Sequence, residues 1–178
     1  MAQDLRAAAA MPAPKLSSRA KTLLLAAVLA GTGLAVLRPQ DLVLYNPSDS
    51  LQKGFYVRDR SQPVRGSIVT IRSVDAAPDY AATRNFTDAG DRFLKRITAM
   101  EGDTVCAEGS EVSVNGVTVA ERGQVDAAGN ALPSWSGCVV LSAGDVFLLG
   151  DHPGSFDGRY WGVSDLAELG GPWRLLRP

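Results

Sequence analysis

The hydrophobic positions of this chain follow two patterns that meet near residue 40. The first is an uncharged, almost wholly apolar run from Thr22 to Leu37. At about 1.5 Å per residue this run is shorter than the roughly 30 Å hydrocarbon core, but the flanking Lys21 and Arg38 can reach the headgroups of a slightly thinned bilayer. The pattern therefore predicts one transmembrane helix over residues 22–38.

Charge before the apolar run predicts how the chain is oriented. Basic residues outnumber acidic ones over residues 1–21, which show no helical or strand period and are expected to form a flexible cytoplasmic tail. Everything after about Gln40 should then lie outside, with membrane lipid as a partner of the anchor. The alternative is a cleaved secretory signal, because Gly33-Leu34-Ala35 offers small residues near the end of the run. Both hypotheses export the remainder of the chain.

From Asp41 onward, short β-branched or aromatic runs are separated by Gly, Asp and Asn. This pattern predicts a mainly β domain with antiparallel sheet over residues 40–178. Within it, Asn115-Gly116 between two alternating segments predicts a hairpin with a type I′ turn. Residues 74–91 and 121–137 are expected to be loops. The predicted strands are residues 42–45, 55–58, 67–71, 93–98, 112–114, 117–119, 139–141 and 146–149.

Composition narrows the functional classes. A chain of 178 residues with 46% hydrophobic content can form one folded domain with a substantial core. The net charge of -1 argues against nucleic acid as a partner, because such binding depends on clustered Lys and Arg. Cys106 and Cys138 are the two cysteines, and in an exported domain they favour a disulfide over a metal site. The alternative is a pair of buried free thiols, and no metal or other cofactor is expected.

Ser50 and Lys95 lie in the two most patterned stretches of the domain. The single histidine, His152, precedes Pro153 in a predicted turn, which disfavours a Ser-His-Asp triad. A lysine can activate a serine instead if apolar surroundings keep its amine uncharged. In a strand, Lys95 shares a face with Phe93 and Ile97 and not with its charged neighbour. The alternative is that Lys95 is an edge-strand lysine whose amine reaches solvent.

Three ordered segments resemble the conserved boxes of the type I signal peptidases, the serine-lysine peptidases of family S26. They are Pro47–Ser50 with Gly54, then Phe93–Ile97 with Gly102-Asp103, then Gly150–Gly162. The single anchor and the Gly54-Phe55-Tyr56 segment look most like the conjugative-transfer signal peptidases of the TraF type. The resemblance implies a signal-peptidase-like antiparallel β domain on the periplasmic side of the inner membrane.

The resemblance also implies a role for each matching residue. Ser50 would attack the scissile carbonyl with Lys95 as general base, and Ser48 would help to hold the oxyanion. Ser155 would orient the amine, with Asp157 and Arg159 as a supporting ion pair. From the residues alone, that ion pair could equally be a surface pair of little value. The implied substrate is an exported precursor protein, with a conjugative pilin as one candidate, whose leader is cleaved through an acyl-enzyme.

Some positions depart from the family pattern. Leu51 and Gln52 stand where methionine and proline are common, and His152 stands where asparagine is usual. Family substrates carry small residues before the cut, so small or apolar pockets are expected among Leu51, Phe55 and the strand around Ile97.

Two other functions share part of this pattern. A self-cleaving repressor-type protease uses the same Ser/Lys pair, but residues 1–40 supply no DNA-binding helix pair. A catalytically silent, membrane-tethered β domain of a secretion or conjugation apparatus would need only the export signal and the hairpin. The joint presence of Ser50, Lys95 and Ser155–Asp157 argues against it.

Overall fold

A computed structural model of the protein describes residues 17–25 and 42–176. The chain divides into two compact units, residues 1–40 and 41–178. In the first unit, residues 18–25 are helical. Ser17 begins this helix, because its hydroxyl accepts the Ala20 N–H at 3.3 Å as an N-cap.

The helix corrects part of the predicted tail. Residues 18–21, expected to be irregular, are helical, and the predicted boundary between tail and anchor falls inside the helix. The Ser17 cap supplies a local start signal that hydrophobic periodicity does not register. The rest of the predicted tail, and the predicted anchor from residue 26, lie outside the described residues. Within those described residues, none of the helices combines the length and the apolar character that a membrane span needs.

Two antiparallel sheets form the described part of the second unit. The strands are β1 Val43–Asn46, β2 Gly54–Arg58, β3 Ile68–Arg72, β4 Arg92–Ala99, β5 Thr104–Glu108, β6 Glu111–Val114, β7 Val117–Glu121, β8 Gly137–Val140, β9 Asp145–Leu149, β10 Ser164–Asp165 and β11 Leu169–Leu175. A seven-stranded sheet has the order β1-β2-β11-β3-β4-β9-β10, and a four-stranded sheet has the order β7-β6-β5-β8.

Eight of these strands confirm the predicted ones to within one or two residues at most ends. The prediction missed β5, β10 and β11. β11 contains Gly170, Gly171 and Pro172, residues that argue against a strand interior. The structure accommodates them where the pairing of β11 with β3 shifts register between Gly170 and Trp173.

Residues 74–91 are not the simple loop that was expected. They include most of α1 (Ser73–Ala76) and all of α2 (Pro78–Thr83). Helices of four and six residues are too short to show a 3.6-residue period, which is why the pattern did not reveal them. Pro78 occupies the first turn of α2, where its missing N–H is not needed. The remaining helices are α3 (Gly158–Trp161) and a 3₁₀ turn at Leu166–Glu168.

The four-stranded sheet contains the predicted hairpin. Asn115 and Gly116 have φ angles of 52° and 79°, and Val114 pairs with Val117 across the turn, which confirms the type I′ prediction. At the opposite edge of this sheet, Cys106 of β5 pairs with Cys138 of β8, and a disulfide joins them. Side chains from the two sheets form one apolar cluster. That cluster contains Ala99, Val105, Ala107, Val112, Val114, Leu141, Phe147 and Leu149.

β4 lies near the middle of the seven-stranded sheet, between β3 and β9. Its side chains enter different apolar clusters. Ile97 belongs to the cluster of Val69, Ile71, Val146 and Leu148, whereas Leu94 packs with Leu51, Tyr56 and Trp173. A polar side chain that points from β4 into either cluster is therefore surrounded by apolar groups unless a polar partner lies beside it.

Candidate active site

The turn that carries Ser48 and Ser50 joins β1 to β2. These strands pair from Val43↔Val57 to Asn46↔Gly54, so residues 47–53 form a compact loop at the end of a hairpin. Asn46, the last residue of β1, is buried and makes five hydrogen bonds to this loop through its side chain. The Ser50 carbonyl accepts the Asp151 N–H at 2.6 Å, which fixes the loop against the segment that follows β9.

Lys95 is in the middle of β4, opposite Val69 of β3. Its side chain is 1% exposed, and its Nζ donates a hydrogen bond to Ser155 Oγ at 2.8 Å. Loss of hydration lowers the pKa of Lys95 from 10.5 to about 8, while the charge of Asp157 raises it and that of Arg159 lowers it. A substantial fraction of the amine is therefore uncharged just above neutral pH. The alternative of a solvent-exposed strand lysine is wrong.

Ser155 reaches the amine because the chain bends sharply after β9. A Cβ atom on Gly150 would overlap the Ser155 side chain and would lie 2.8 Å from the Ser50 carbonyl oxygen. Glycine at position 150 therefore permits the close approach of the segments that carry Ser50 and Ser155. The Ser155 side chain is buried in this position.

Asp157 and Arg159 form a buried ion pair behind Ser155. Asp157 is 0% exposed and caps α3, accepting the Arg159 N–H at 3.2 Å and the Gly150 N–H at 2.8 Å. The Arg159 guanidinium contacts both carboxylate oxygens, at 2.8 and 3.0 Å. It also donates to the carbonyls of His152 and Pro153. The pair ties down both ends of the 150–157 segment, so the alternative of a surface pair is wrong.

Ser48, Ser50 and Lys95 line one cavity of about 570 Å³. Its apolar wall includes Leu44, Tyr45, Phe86, Phe93, Leu94 and Phe156. The Phe156 ring stacks on Tyr80 of α2, with centroids 3.6 Å apart, so the segment between β3 and β4 packs against the 150–157 segment. An uncharged amine and two serine hydroxyls in one largely apolar cavity can support acyl transfer through a serine.

The comparisons with known proteins agree with this geometry. A family model described as signal peptidase, peptidase S26, matches residues 16–176. The chain belongs to this family. The family-level resemblance drawn from the three boxes is therefore confirmed.

Two individual proteins are similar to this family member. A protein named "Probable signal peptidase I-2" from Synechocystis sp. is 31% identical over 137 residues, which cover 70% of this chain and 57% of that protein. The chain thus spans 57% of the length of this curated relative. A crystal structure of a signal peptidase I from Enterococcus faecalis V583 aligns with 24% identity and a TM-score of 0.38, covering 67% of this chain and 100% of that chain.

Ser48 is at the cavity of this S26 family member, but its hydroxyl is directed to a neighbour. Ser48 Oγ donates to Asn46 Oδ1 at 2.8 Å. The amine of Lys95 is bonded to Ser155, and within residues 42–176 no hydrogen bond joins it to the Ser50 hydroxyl. Ser50 and Lys95 therefore share the cavity without a hydrogen bond between them, and because catalytic hydrogen bonds commonly tighten only when substrate binds, their pairing stays a prediction.

The His152 imidazole makes a local contact only. Its Nδ1 accepts the Gly154 N–H at 3.0 Å, and the side chain is exposed in a shallow hollow beside Asp49 and Lys53. The His152 backbone N–H donates to the Ser50 carbonyl at 3.4 Å, but among the described residues no hydrogen bond joins the imidazole to Ser50. In this geometry the imidazole does not pair with Ser50, and lysine as the base stays a prediction.

Of the expected substrate-pocket residues, Leu51, Phe55 and Ile97 itself are not on the wall of the cavity, but Phe93 and Leu94 of the strand around Ile97 are. Leu51 and Ile97 are buried in separate apolar clusters, and Phe55 is 55% exposed on the surface. Burial in the core keeps Leu51 and Ile97 off the wall, whereas Phe55 lies beside Tyr45, which does line the cavity. The apolar wall also includes Phe156 of the third box and Phe86, and of these two only Phe86 lies outside the segments that the sequence connected to the site.

Two further contacts of the site were missed in the sequence. Asn46 was part of the nucleophile stretch but had no assigned role. Arg96 forms a two-pronged ion pair with Asp151 at 2.9 and 2.8 Å, and the Asp151 N–H is the group that holds the Ser50 carbonyl. A role for Asn46 could have been recognised only if the burial of its strand end had been known. The Arg96–Asp151 contact spans 55 positions, so no local pattern in the sequence could reveal it.

Proposed function

We propose that the protein is a membrane-anchored signal peptidase that cleaves the leader of exported precursors through an acyl-enzyme on Ser50. The observation that carries this proposal is the buried Lys95 amine, whose pKa is lowered to about 8 and whose hydrogen bond to Ser155 holds it at the cavity of Ser50. A serine needs a neighbouring base, and this amine is suited to that task near neutral pH.

The proposed reaction has two stages. Lys95 takes the proton of the Ser50 hydroxyl as Oγ bonds to the scissile carbonyl carbon, and the oxyanion is held by the Ser48 hydroxyl and the Ser50 N–H. The Lys95 ammonium then gives this proton to the leaving amine, and the peptide bond breaks. In the second stage Lys95 takes a proton from a water molecule as the water oxygen bonds to the ester carbonyl carbon. The Lys95 ammonium then returns this proton to Ser50 Oγ as the bond between Oγ and the acyl carbon breaks, which releases the leader. Asp157 and Arg159 keep Ser155 and the amine in place throughout.

The proposed location is the periplasmic face of the inner membrane, with lipid as a partner. Besides the predicted anchor, one surface of the described domain supports this. Val43, Tyr45 and Phe55 share a face of β1 and β2 and are 56%, 57% and 55% exposed, and the rings of Tyr45 and Phe55 are 5.0 Å apart. An exposed apolar face of this kind fits contact with a lipid surface.

Phe55 allows the lipid contact to be tested, because it does not line the cavity. Phe55→Ser should slow cleavage of a precursor embedded in lipid vesicles more than cleavage of the same precursor in detergent. Equal rate ratios in the two settings would show that this face does not contact lipid.

We further propose a conjugative-transfer specialisation of the TraF type, with a pilin precursor as substrate. It is supported by the Gly54-Phe55-Tyr56 segment after the nucleophile, which begins β2 and places Tyr56 in the core beneath the turn. A general secretory precursor is the competing substrate class.

The test uses the full-length protein in detergent with a pilin-type and a secretory precursor. Ser50→Ala and Lys95→Ala should abolish processing, whereas Ser61→Ala and Lys53→Ala, at exposed positions away from the cavity, should not. Mass spectrometry of the product reports the cleavage site and separates hydrolysis from cyclisation, whose product is lighter by one water. Equal processing by all variants would refute the peptidase proposal and favour a catalytically silent domain. Processing of only the secretory precursor would refute the specialisation.

A further inference from the structure

We propose that Asn46 is a positioning residue that sets the direction of the Ser48 hydroxyl and the shape of the nucleophile turn. This inference rests on the proposed peptidase function. Asn46 ends β1, is 5% exposed and lines the same cavity as Ser48 and Ser50. Burial of a polar amide is unfavourable unless its donors and acceptors are all used, so the partners of Asn46 show what it holds in place.

The Asn46 amide contacts five groups of the turn with its two ends. Oδ1 accepts from the Ser48 N–H at 3.2 Å and from Ser48 Oγ at 2.8 Å. Nδ2 lies 3.1 Å from the carbonyl oxygens of Ser48 and Leu51 and 3.3 Å from that of Gln52. This orientation of the amide is determined by the backbone, because an N–H can only donate and a carbonyl can only accept. The opposite orientation would face Nδ2 towards a donor and Oδ1 towards three acceptors.

The contact has a direct consequence for the proposed oxyanion donor. A serine hydroxyl carries one proton, and in Ser48 that proton is directed to Asn46 Oδ1. It can serve an oxyanion only after it leaves Oδ1, by rotation of the hydroxyl. Asn46 therefore holds Ser48 beside the cavity, with the hydroxyl proton of Ser48 in a hydrogen bond to Asn46 Oδ1. The hydrogen bond from Ser48 to a neutral amide oxygen also breaks more readily than one to a carboxylate would, because charge-assisted hydrogen bonds are stronger.

Asn46 acts on the turn as well as on Ser48, and a second residue separates the two effects. The Tyr56 hydroxyl donates to the Gln52 carbonyl at 2.7 Å, which is one of the carbonyls that Asn46 also contacts. Tyr56 makes no hydrogen bond to Ser48 among the described residues. Tyr56→Phe therefore removes a hydrogen bond to the turn and leaves the Asn46–Ser48 contact intact.

The test measures kcat and KM for precursor cleavage by the full-length protein in detergent. The variants are Asn46→Ala, Asn46→Asp, Ser48→Ala, Tyr56→Phe, Ser50→Ala and the doubles that combine Asn46→Ala or Tyr56→Phe with Ser48→Ala. Ser48→Ala should lower kcat by about 10²-fold, the usual effect of losing one oxyanion donor. Asn46→Ala should lower kcat by about 10-fold or more with KM nearly unchanged, because it acts on the transition state and not on substrate binding.

The double variants identify the route of the effect. If Asn46 acts through Ser48, its loss should matter much less once Ser48 is already alanine, whereas the effect of Tyr56→Phe should be the same with and without Ser48. Asn46→Asp keeps the shape of the side chain, so it remains informative if Asn46→Ala does not fold. It should be at least as slow as Asn46→Ala, because its carboxylate retains the Ser48 proton and repels three carbonyls.

Each failure has its own signature. Wild-type cleavage that Ser50→Ala does not abolish would refute the peptidase proposal itself. If Ser50→Ala is inactive but Asn46→Ala and Asn46→Asp retain wild-type kcat, the positioning role is wrong. The role in directing the Ser48 hydroxyl is wrong if the Asn46→Ala loss is equally large in the presence and absence of Ser48.

Discussion

Replacing Lys95 with methionine should stabilise the protein while abolishing its activity. The Lys95 amine is 1% exposed, and loss of hydration is the main reason that its pKa falls from 10.5 to about 8. That fall corresponds to about 3 kcal/mol by which the protonated amine destabilises the folded chain. Methionine has a similar length and carries no charge. Losing the hydrogen bond to Ser155 should remove about 1 kcal/mol, which leaves a net gain of about 2 kcal/mol at pH 7.

The gain should depend on pH in a defined direction. Between about pH 8 and 10.5, Lys95 has released its proton in the folded chain but holds it in the unfolded chain. The unfolded state then binds more protons, so the stability of the wild type rises with pH across this window. The advantage of Lys95→Met is therefore complete below about pH 8 and shrinks as the pH approaches 10.5. Other titrating groups are common to both proteins and cancel in the difference.

Thermal unfolding of the two full-length proteins in the same detergent measures this difference. A gain of about 2 kcal/mol should raise Tm by about 4 to 8 °C at pH 7 for a chain of this size, and the rise should be much smaller at pH 9.5. Lys53→Met is the matched control, because Lys53 is exposed and pairs only with Asp49 in the same turn region. It should leave Tm unchanged at both pH values. A Lys95→Met protein that melts lower at pH 7, or a Tm difference that does not change with pH, would refute the reasoning.

Three further predictions concern the groups around the amine and the second sheet. Wild-type kcat/KM should rise with pH up to about 8 and then level off. Asp157→Asn should move this rise to lower pH, because the Asp157 charge raises the pKa of Lys95, and a shift to higher pH would contradict this. Ser155→Ala should lower kcat by about 10-fold or more with little change in KM, since it frees the amine without removing it; an unchanged kcat would show that Ser155 does not orient Lys95. Replacing both Cys106 and Cys138 with serine should reduce stability by about 3 to 4 kcal/mol for a separation of 32 residues but leave cleavage intact, as measured by unfolding and precursor processing; lost activity in the folded variant would contradict it.

Much of the β domain was predictable from local pattern. Alternating β-branched and aromatic residues located eight strands, and Asn115-Gly116 located a type I′ turn, because these signals depend on neighbouring positions only. Strand alternation also placed Lys95 on the same face as Ile97, towards an apolar cluster. Chemistry favoured a lysine as the base, since the single histidine precedes a proline, and the resemblance of three ordered segments to the signal peptidase boxes singled out Ser50 and Lys95.

The surroundings of those residues could not be obtained from local pattern. Whether Lys95 is buried depends on β3 and β9, which flank it, and on Ser155, which lies 60 positions away. The Asp157–Arg159 pair could be read as surface or core until the fold placed it at 0% and 3% exposure.

The sequence by itself determined which chemical groups are available and which side chains of a strand share a face. Both follow from residue type and local backbone geometry. Only the tertiary structure decided which of these groups contact each other and how far their contact site is shielded from water. Contact and hydration depend on segments distant in sequence, such as the turn after β1 and the segment after β9, which Gly150 allows to approach each other.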